Sequence, residues 1–258
     1  MSVSLALHDK IAIVTGGSRG IGEAITRAFV EAGAKVVIAS RKIDGVRAVA
    51  EAINATTPGA VHAIAAHTGK EEDCKRIVAE AVATFGKVDV LVNNAATNPH
   101  FGPTLDIEMG AWDKTFEVNL KGYFWMMREV AHHLRKREAP GSFINIASVA
   151  GLRGSPLQGA YGATKAAVIS LTQTLSYELG SNKIRVNAIA PGFVDTRLAA
   201  AIMQSDELVA RINAQTGLHR HAQPEEMAGA AIYLASDASS YMTGHTLVVD
   251  GGLTQTLV

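Results

Sequence analysis

The chain has 258 residues, 48% apolar and 19% charged, with 24 Lys and Arg against 24 Asp and Glu. A globular chain of this length buries about 70–75% of the surface it exposes when unfolded, so it needs no disulfide or metal staple. The even charge balance argues against a nucleic-acid partner, while the lone Cys74, the lack of a signal-like start and of any run of ~18 apolar residues predict a reducing, cytoplasmic setting without a membrane partner.

Short runs rich in Val and Ile predict seven strands, at 11–14, 36–39, 61–65, 90–92, 143–146, 186–189 and 247–249. They are apolar on both faces, as strands covered by helices on both sides are. Between them fall helical patterns at about 21–32, 43–54, 71–85, 108–137, 159–180, 197–214 and 225–235. This alternation predicts an α/β fold: a doubly wound sheet of seven mainly parallel strands with helices on both faces. One domain over 1–258 is expected. The stretch at about 192–224 departs from the alternation and reads as a helical lid over a substrate site.

The first strand leads into Thr15-Gly16-Gly17-Ser18-Arg19-Gly20-Ile21-Gly22 and then a helix. Glycines there let the backbone turn sharply and approach a pyrophosphate, which the helix N-terminus then meets with free N–H groups. The spacing is GxxxGxG rather than GxGxxG, and an ordinary glycine-rich turn competes with the ligand reading. At the end of the second strand stands Ala39-Ser40-Arg41-Lys42, without the acid that bonds the ribose of NAD. Arg41, with Ser40 and Arg19, offers a phosphate donors, so NADP(H) is favoured over NAD(H). The competing reading is a solvated helix start.

Tyr161 and Lys165 stand four apart, hence on one helix face. A cation beside a phenol is expected to lower its pKa from about 10 towards neutrality and make it a general acid or base. Three further features support a site. Ser148 follows the fifth strand, Asn119 interrupts a helical pattern with an amide, and Asn93-Asn94-Ala95-Ala96 follows the fourth strand with small residues.

Together these residues resemble the short-chain dehydrogenase/reductase superfamily, in its single-domain branch of about 250 residues. The likeness runs from Ile11 to Gly252 and also includes Asn119-Leu-Lys-Gly122, Arg185-Val-Asn187, Pro191-Gly192 and Asp250-Gly251-Gly252. It implies a Rossmann-type fold and an NAD(P)-dependent oxidoreductase interconverting a carbonyl and a secondary alcohol. Tyr161 would move the proton at the substrate oxygen, Ser148 would hold that oxygen, Lys165 would bond the nicotinamide ribose and tune Tyr161, and Asn119 would hold a water that resupplies protons through Lys165. Gly16, Ser18, Arg19 and Ile21 would meet the pyrophosphate side, Asn94 and Ala95 the adenine ribose, and Pro191, Gly192, Val194 and Thr196 the nicotinamide end. His67-Thr68 stands where the family carries an Asp and an apolar residue at the adenine. An imidazole can accept a hydrogen bond there, and a simple cap on the third strand is the equal alternative.

The substrate class stays open at this level: a simple ketone, a 3-oxoacyl thioester and a sugar or polyol all suit the family. A nucleotide-binding sensor without chemistry is the rival from another class. No metal is expected, since His132-His133 and His219-Arg-His221 lack ligand spacing and read as solvated, and Cys74 among Glu71, Glu72 and Asp73 reads as an inert thiol with a raised pKa. Asn98-Pro99-His100-Phe101 and the 152–157 loop would shape the substrate pocket, under a lid carrying Phe193, Leu198 and Ile202. The helices at 108–137 and 159–180 carry apolar residues on more than one face, where a single sheet contact would need only one stripe; in the resembling family these helices pair between subunits and the C-terminal segment forms a second interface, which implies a homotetramer, with a dimer as the alternative.

Overall fold

The computed structural model describes residues 4–255, so the first and last three residues of the expected 1–258 domain lie outside the described residues. Seven strands form one sheet: β1 (Ile11–Thr15), β2 (Lys35–Ser40), β3 (Val61–Ala65), β4 (Val90–Asn93), β5 (Gly141–Ile146), β6 (Ile184–Pro191) and β7 (Thr246–Val249). The order is β3-β2-β1-β4-β5-β6-β7, and every pairing is parallel. The order reverses between β1 and β4, where Ile13 pairs both Val37 of β2 and Leu91 of β4. Beyond the carboxyl ends of these two strands the crossovers diverge to opposite faces and leave a crevice, the usual ligand site of such sheets.

The helices are α1 (Gly20–Glu31), α2 (Ile43–Asn54), α3 (Glu71–Phe85), α4 (Met109–Phe116), α5 (Gly122–Lys136), α6 (Gly159–Glu178), α7 (Ala200–Met203), α8 (Asp206–Gln215) and α9 (Ala228–Ala235). One core lies between the sheet and α3, α5 and α6, around Ile77, Met126, Phe143 and Val168. The other joins it to α1, α2 and α9, around Phe29, Val46, Ile144 and Leu234. Strands with partners on both faces cannot alternate apolar and polar residues, which is why β1 and β4 are buried throughout. Local signals set the helix ends. Glu71, Glu72 and Asp73 place negative charge in the first turn of α3, and Gly86 ends it at φ 84°.

Three expected helices are broken. The pattern at 108–137 splits into α4 and α5 around a π-helical turn at Glu117–Lys121, which turns Val118 and Asn119 inward. Single π turns of this kind are frequent at functional sites. The pattern at 197–214 divides after Met203, because the Ser205 hydroxyl accepts the Leu208 N–H and caps a new helix. The pattern at 225–235 begins as a 3-10 turn, Pro224–Met227, before α9.

Candidate active site

The crevice is built on the glycine turn after β1. Gly16 has φ +70°, and a Cβ on it would lie 2.8 Å from the Asn94 amide and 2.9 Å from the Ala95 backbone, so only glycine fits. Thr15 ties the two sides together: its Oγ1 accepts the N–H groups of Asn94 at 3.0 Å and Ala95 at 3.1 Å. The Asn94 amide answers by donating to Thr15 O at 2.9 Å and Gly16 O at 3.2 Å. Asn94 is thus used as a brace, a role for which Thr15 was the residue missed in the sequence.

One groove collects most of the expected cofactor residues. Gly16, Ser18, Arg19 and Ile21 form its floor, with Ser40 and Arg41 on one side and Asn94 and Ala95 on the other. His67, Thr68 and Thr196 close it. Among the described residues neither Arg19 nor Arg41 makes an ion pair, and the N-terminus of α1 has no side-chain cap. Two unpaired guanidinium groups and an open helix N-terminus form a natural anion cradle. Pro191, Gly192 and Val194 do not line this groove. Pro191 ends β6, Gly192 donates to Val249 O at 3.0 Å, and Val194 bridges Ala222 beneath the segment that carries Thr196.

His67 sits in a dense polar cluster. Its backbone N–H donates to Asp73 Oδ2 at 2.8 Å, its Nδ1 accepts the Gly69 N–H at 3.0 Å, and its Nε2 lies 2.8 Å from Lys114 Nζ, which also reaches Glu117 at 3.2 Å. Burial first, then Lys114, holds the imidazole below its ordinary 6.5. Two donors converge on a ring that accepts one at a time when neutral. Lys114 was not foreseen, because a contact across 47 residues leaves no local trace.

Ser148, Tyr161 and Lys165 come together past the end of β5. Gly151 makes this close approach feasible, since a Cβ there would stand 2.6 Å from the backbone of Lys165. Ser148 caps the turn at 149–151 by accepting the Ala150 N–H at 3.1 Å, and its hydroxyl is near enough to the Tyr161 phenol to lower its pKa. Lys165 Nζ lies 5.5 Å from the Tyr161 ring centre and donates to Ile146 O at 2.6 Å. The expected lowering of the Tyr161 pKa is reversed here. Burial pushes the phenol up to about 12, more than Ser148 lowers it, although part of its surface stays open. Burial also pushes the Lys165 ammonium down to about 7, which weakens its field on the phenol.

Asn119 is fully buried in the π turn, and its side chain braces neighbours. Its amide donates to Thr97 O at 2.9 Å and Thr164 Oγ1 at 3.3 Å, while its Oδ1 accepts the Thr97 N–H at 2.8 Å. This fixes α6 against the segment after β4. Around the mouth, Asn98 donates to Gln158 at 3.0 Å, and Phe101, Leu152 and Leu157 expose apolar surface. Arg153 reaches out of this loop to Thr254 O.

The histidines expected to be solvated divide. His132 and His219 are exposed, but His133 accepts the Val88 N–H at 3.1 Å and His221 packs edge-on against Phe193. Cys74 is buried, and its thiol is pushed up to about 12 by burial first and Asp73 second. Among the described residues no group of three His, Cys, Asp or Glu side chains converges to hold a metal, and no helix is long and apolar enough to cross a membrane.

Residues 16–254 match the family model described as Enoyl-(Acyl carrier protein) reductase. "Dehydrogenase/reductase SDR family member 4" of Oryctolagus cuniculus is 40% identical over 249 residues, covering 95% of this chain and 94% of that protein. Among solved structures, a gluconate 5-dehydrogenase from Burkholderia cenocepacia in complex with NADP and tartrate superposes with a TM-score of 0.94 at 33% identity over 99% of both chains. A putative NAD(P)-dependent gluconate 5-dehydrogenase from Beutenbergia cavernae with bound NADP gives 0.92 at 37% identity over 98% of this chain and 99% of that one. The all-parallel sheet, the glycine turn at its switch point and these likenesses along nearly the whole chain agree: the protein belongs to the short-chain dehydrogenase/reductase family of oxidoreductases.

Proposed function

We propose that this chain is an NADP(H)-dependent reductase of a carbonyl group, working in reverse on a secondary alcohol. The observation that carries the reading is the Tyr161 phenol, which Ser148 acts on and whose ring centre lies 5.5 Å from Lys165 Nζ, past the end of β5, the strand next to β4. The groove fits a dinucleotide phosphate: a glycine that tolerates no Cβ, an uncapped helix N-terminus and two unpaired guanidinium groups face it. Gly16, Ser18, Arg19 and Ile21 would hold the pyrophosphate, Ser40 and Arg41 a ribose phosphate, Asn94 and Ala95 the adenine ribose, and His67 and Thr68 the base. Pro191, Gly192, Val194 and Thr196 would border the nicotinamide end, which supplies or accepts a hydride when bound.

The chain's own residues handle the oxygen. Ser148 donates to the carbonyl and orients it, and Tyr161, a phenol still protonated near neutral pH, gives its proton as negative charge develops there. Lys165 holds positive charge behind the phenol and stabilises the resulting phenolate. Asn119 serves this arrangement by bracing Thr97 and Thr164, with proton resupply through a water as its further role. The segment at about 192–224, with α7 and α8, acts as the lid.

A sugar acid is the second reading of the substrate, supported by the gluconate 5-dehydrogenases among the structural relatives. A homotetramer is the assembly proposed, supported by exposed Phe124 on α5, Tyr177 on α6 and Val248 at the β7 edge. The test is NADPH oxidation across ketones, diketones and 3-oxoacyl thioesters, and NADP reduction with gluconate, for the native chain and Tyr161→Phe. Loss of about 10²–10⁴-fold in turnover with NADPH still bound is expected. Binding without any Tyr161-dependent rate would instead mark a nucleotide sensor.

A further inference from the structure

Tyr123 has no part in the site as described so far, yet its phenol reaches Lys165. Tyr123 is 1% exposed, in the second residue of α5. Its hydroxyl donates to Ile146 O at 3.1 Å, which leaves an oxygen lone pair towards Lys165 Nζ, the donor at 3.3 Å. The ammonium also stands 5.0 Å from the Tyr123 ring centre. Lys165, Tyr123 and Ile146 O therefore form a closed triangle, since Lys165 donates to the same carbonyl at 2.6 Å. The Tyr123 backbone is held in turn: Asn93 at the end of β4 donates from Nδ2 to Tyr123 O at 3.3 Å.

A residue that merely filled this space would need no hydroxyl. Phenylalanine has nearly the same volume, and a buried phenol demands a partner. The titratable groups that face Lys165 are Tyr161 on its own helix and Tyr123 from α5, and among the described residues burial alone shifts it. No carboxylate is among them, and an acceptor hydrogen-bonded to an ammonium favours its charged form, a place that Tyr123 Oη takes at 3.3 Å. An ammonium has three N–H groups. With two directed to Ile146 O and Tyr123 Oη, one remains for a ligand hydroxyl.

We infer that Tyr123 is a positioning residue for Lys165, aiming its buried ammonium and holding it as a hydrogen-bond donor. This rests on the reductase reading above. It predicts that Tyr123→Phe, which keeps the ring and loses the acceptor, makes Lys165 easier to deprotonate. The alkaline limb of kcat for NADPH-dependent reduction should move down by about one pH unit, as expected from losing one hydrogen bond to a charged group. KM for the carbonyl compound should change by less than about twofold, and the thermal midpoint by a few degrees.

The assay uses the compound with the highest Tyr161-dependent NADPH oxidation in the panel, over pH 5.5–9.5 (about four units, wide enough to hold both limbs). Tyr123→Met, which fills the space with a flexible side chain lacking the hydroxyl, is the second variant and should displace the limb in the same direction. A limb unmoved in both variants, with native turnover present, would overturn the inference and leave the reductase reading standing. Native protein without Tyr161-dependent turnover would overturn the reading, and this inference with it.

Discussion

Removal of the Asn145 carboxamide is a sharp test of how the site is held together. Asn145 is fully buried on β5 and pairs in register with Asn93 of β4. Its Oδ1 accepts from Asn93 Nδ2 at 3.0 Å, and its Nδ2 donates to Thr172 Oγ1 at 2.9 Å and towards Met127 Sδ at 3.4 Å. Thr172 lies on α6, the helix that carries Tyr161 and Lys165, so this amide links two strands to that helix. Asn145→Ala loses two good hydrogen bonds, about 1 kcal/mol each, and leaves a small cavity that costs about 1 kcal/mol more. The expected loss is about 3 kcal/mol, or a fall of roughly 6–12 °C in thermal midpoint for a chain of this size. Urea unfolding at fixed chain concentration, with an unchanged m value, measures it.

A double-mutant cycle with Thr172→Val isolates the bond between them. Val matches Thr in shape, and the Val168 carbonyl to which Thr172 donates at 2.8 Å belongs to the same helix. The coupling should be about 1 kcal/mol, as for two buried groups in direct contact. An Asn145→Ala loss under about 0.5 kcal/mol, or a coupling near zero, would refute the idea that this amide ties the strands to α6.

Two further outcomes are expected. Arg41→Asp should weaken NADPH binding by about 10–100-fold in a fluorescence titration while changing NADH binding less than about threefold, since one charge-assisted hydrogen bond is worth about 1.5–3 kcal/mol; equal effects on both would exclude Arg41 as a phosphate ligand. His133 lies below the ordinary imidazole value of 6.5, from burial first and Arg137 second, and its ring accepts the Val88 N–H. The folded chain then binds fewer protons than the unfolded one just below pH 6.5, so stability present above that pH falls as the pH drops through the folded value. Urea midpoints should therefore fall more steeply below pH 6.5 in the native chain than in His133→Gln, which keeps an acceptor and cannot charge; equal slopes would count against it. His67 shifts in the same direction and leaves part of the slope in that variant.

Much of the fold was legible because the signals for it are local. Runs such as Val36–Ile38, buried completely, announce a strand covered on both faces, and Gly16 announces a turn that admits no Cβ. The Tyr161 to Lys165 spacing places two groups on one helix face whatever surrounds them. The order of the motifs along the chain added the family likeness, which the comparisons with known proteins support.

Tertiary structure decided what those groups are to one another. The sign of the Tyr161 shift depends on how much water the packed chain excludes, and burial outweighs the lowering by Ser148. The π turn carries Asn119 to Thr97 and Thr164, and α4 brings Lys114 to His67 just past the end of β3. Tyr123 reads in the sequence as one more apolar residue on a core helix, since 42 residues separate it from Lys165. Periodicity reports which face of an element is buried. Which side chain waits on the other side of that interface is set by strand order and helix docking, and no window along the chain contains it.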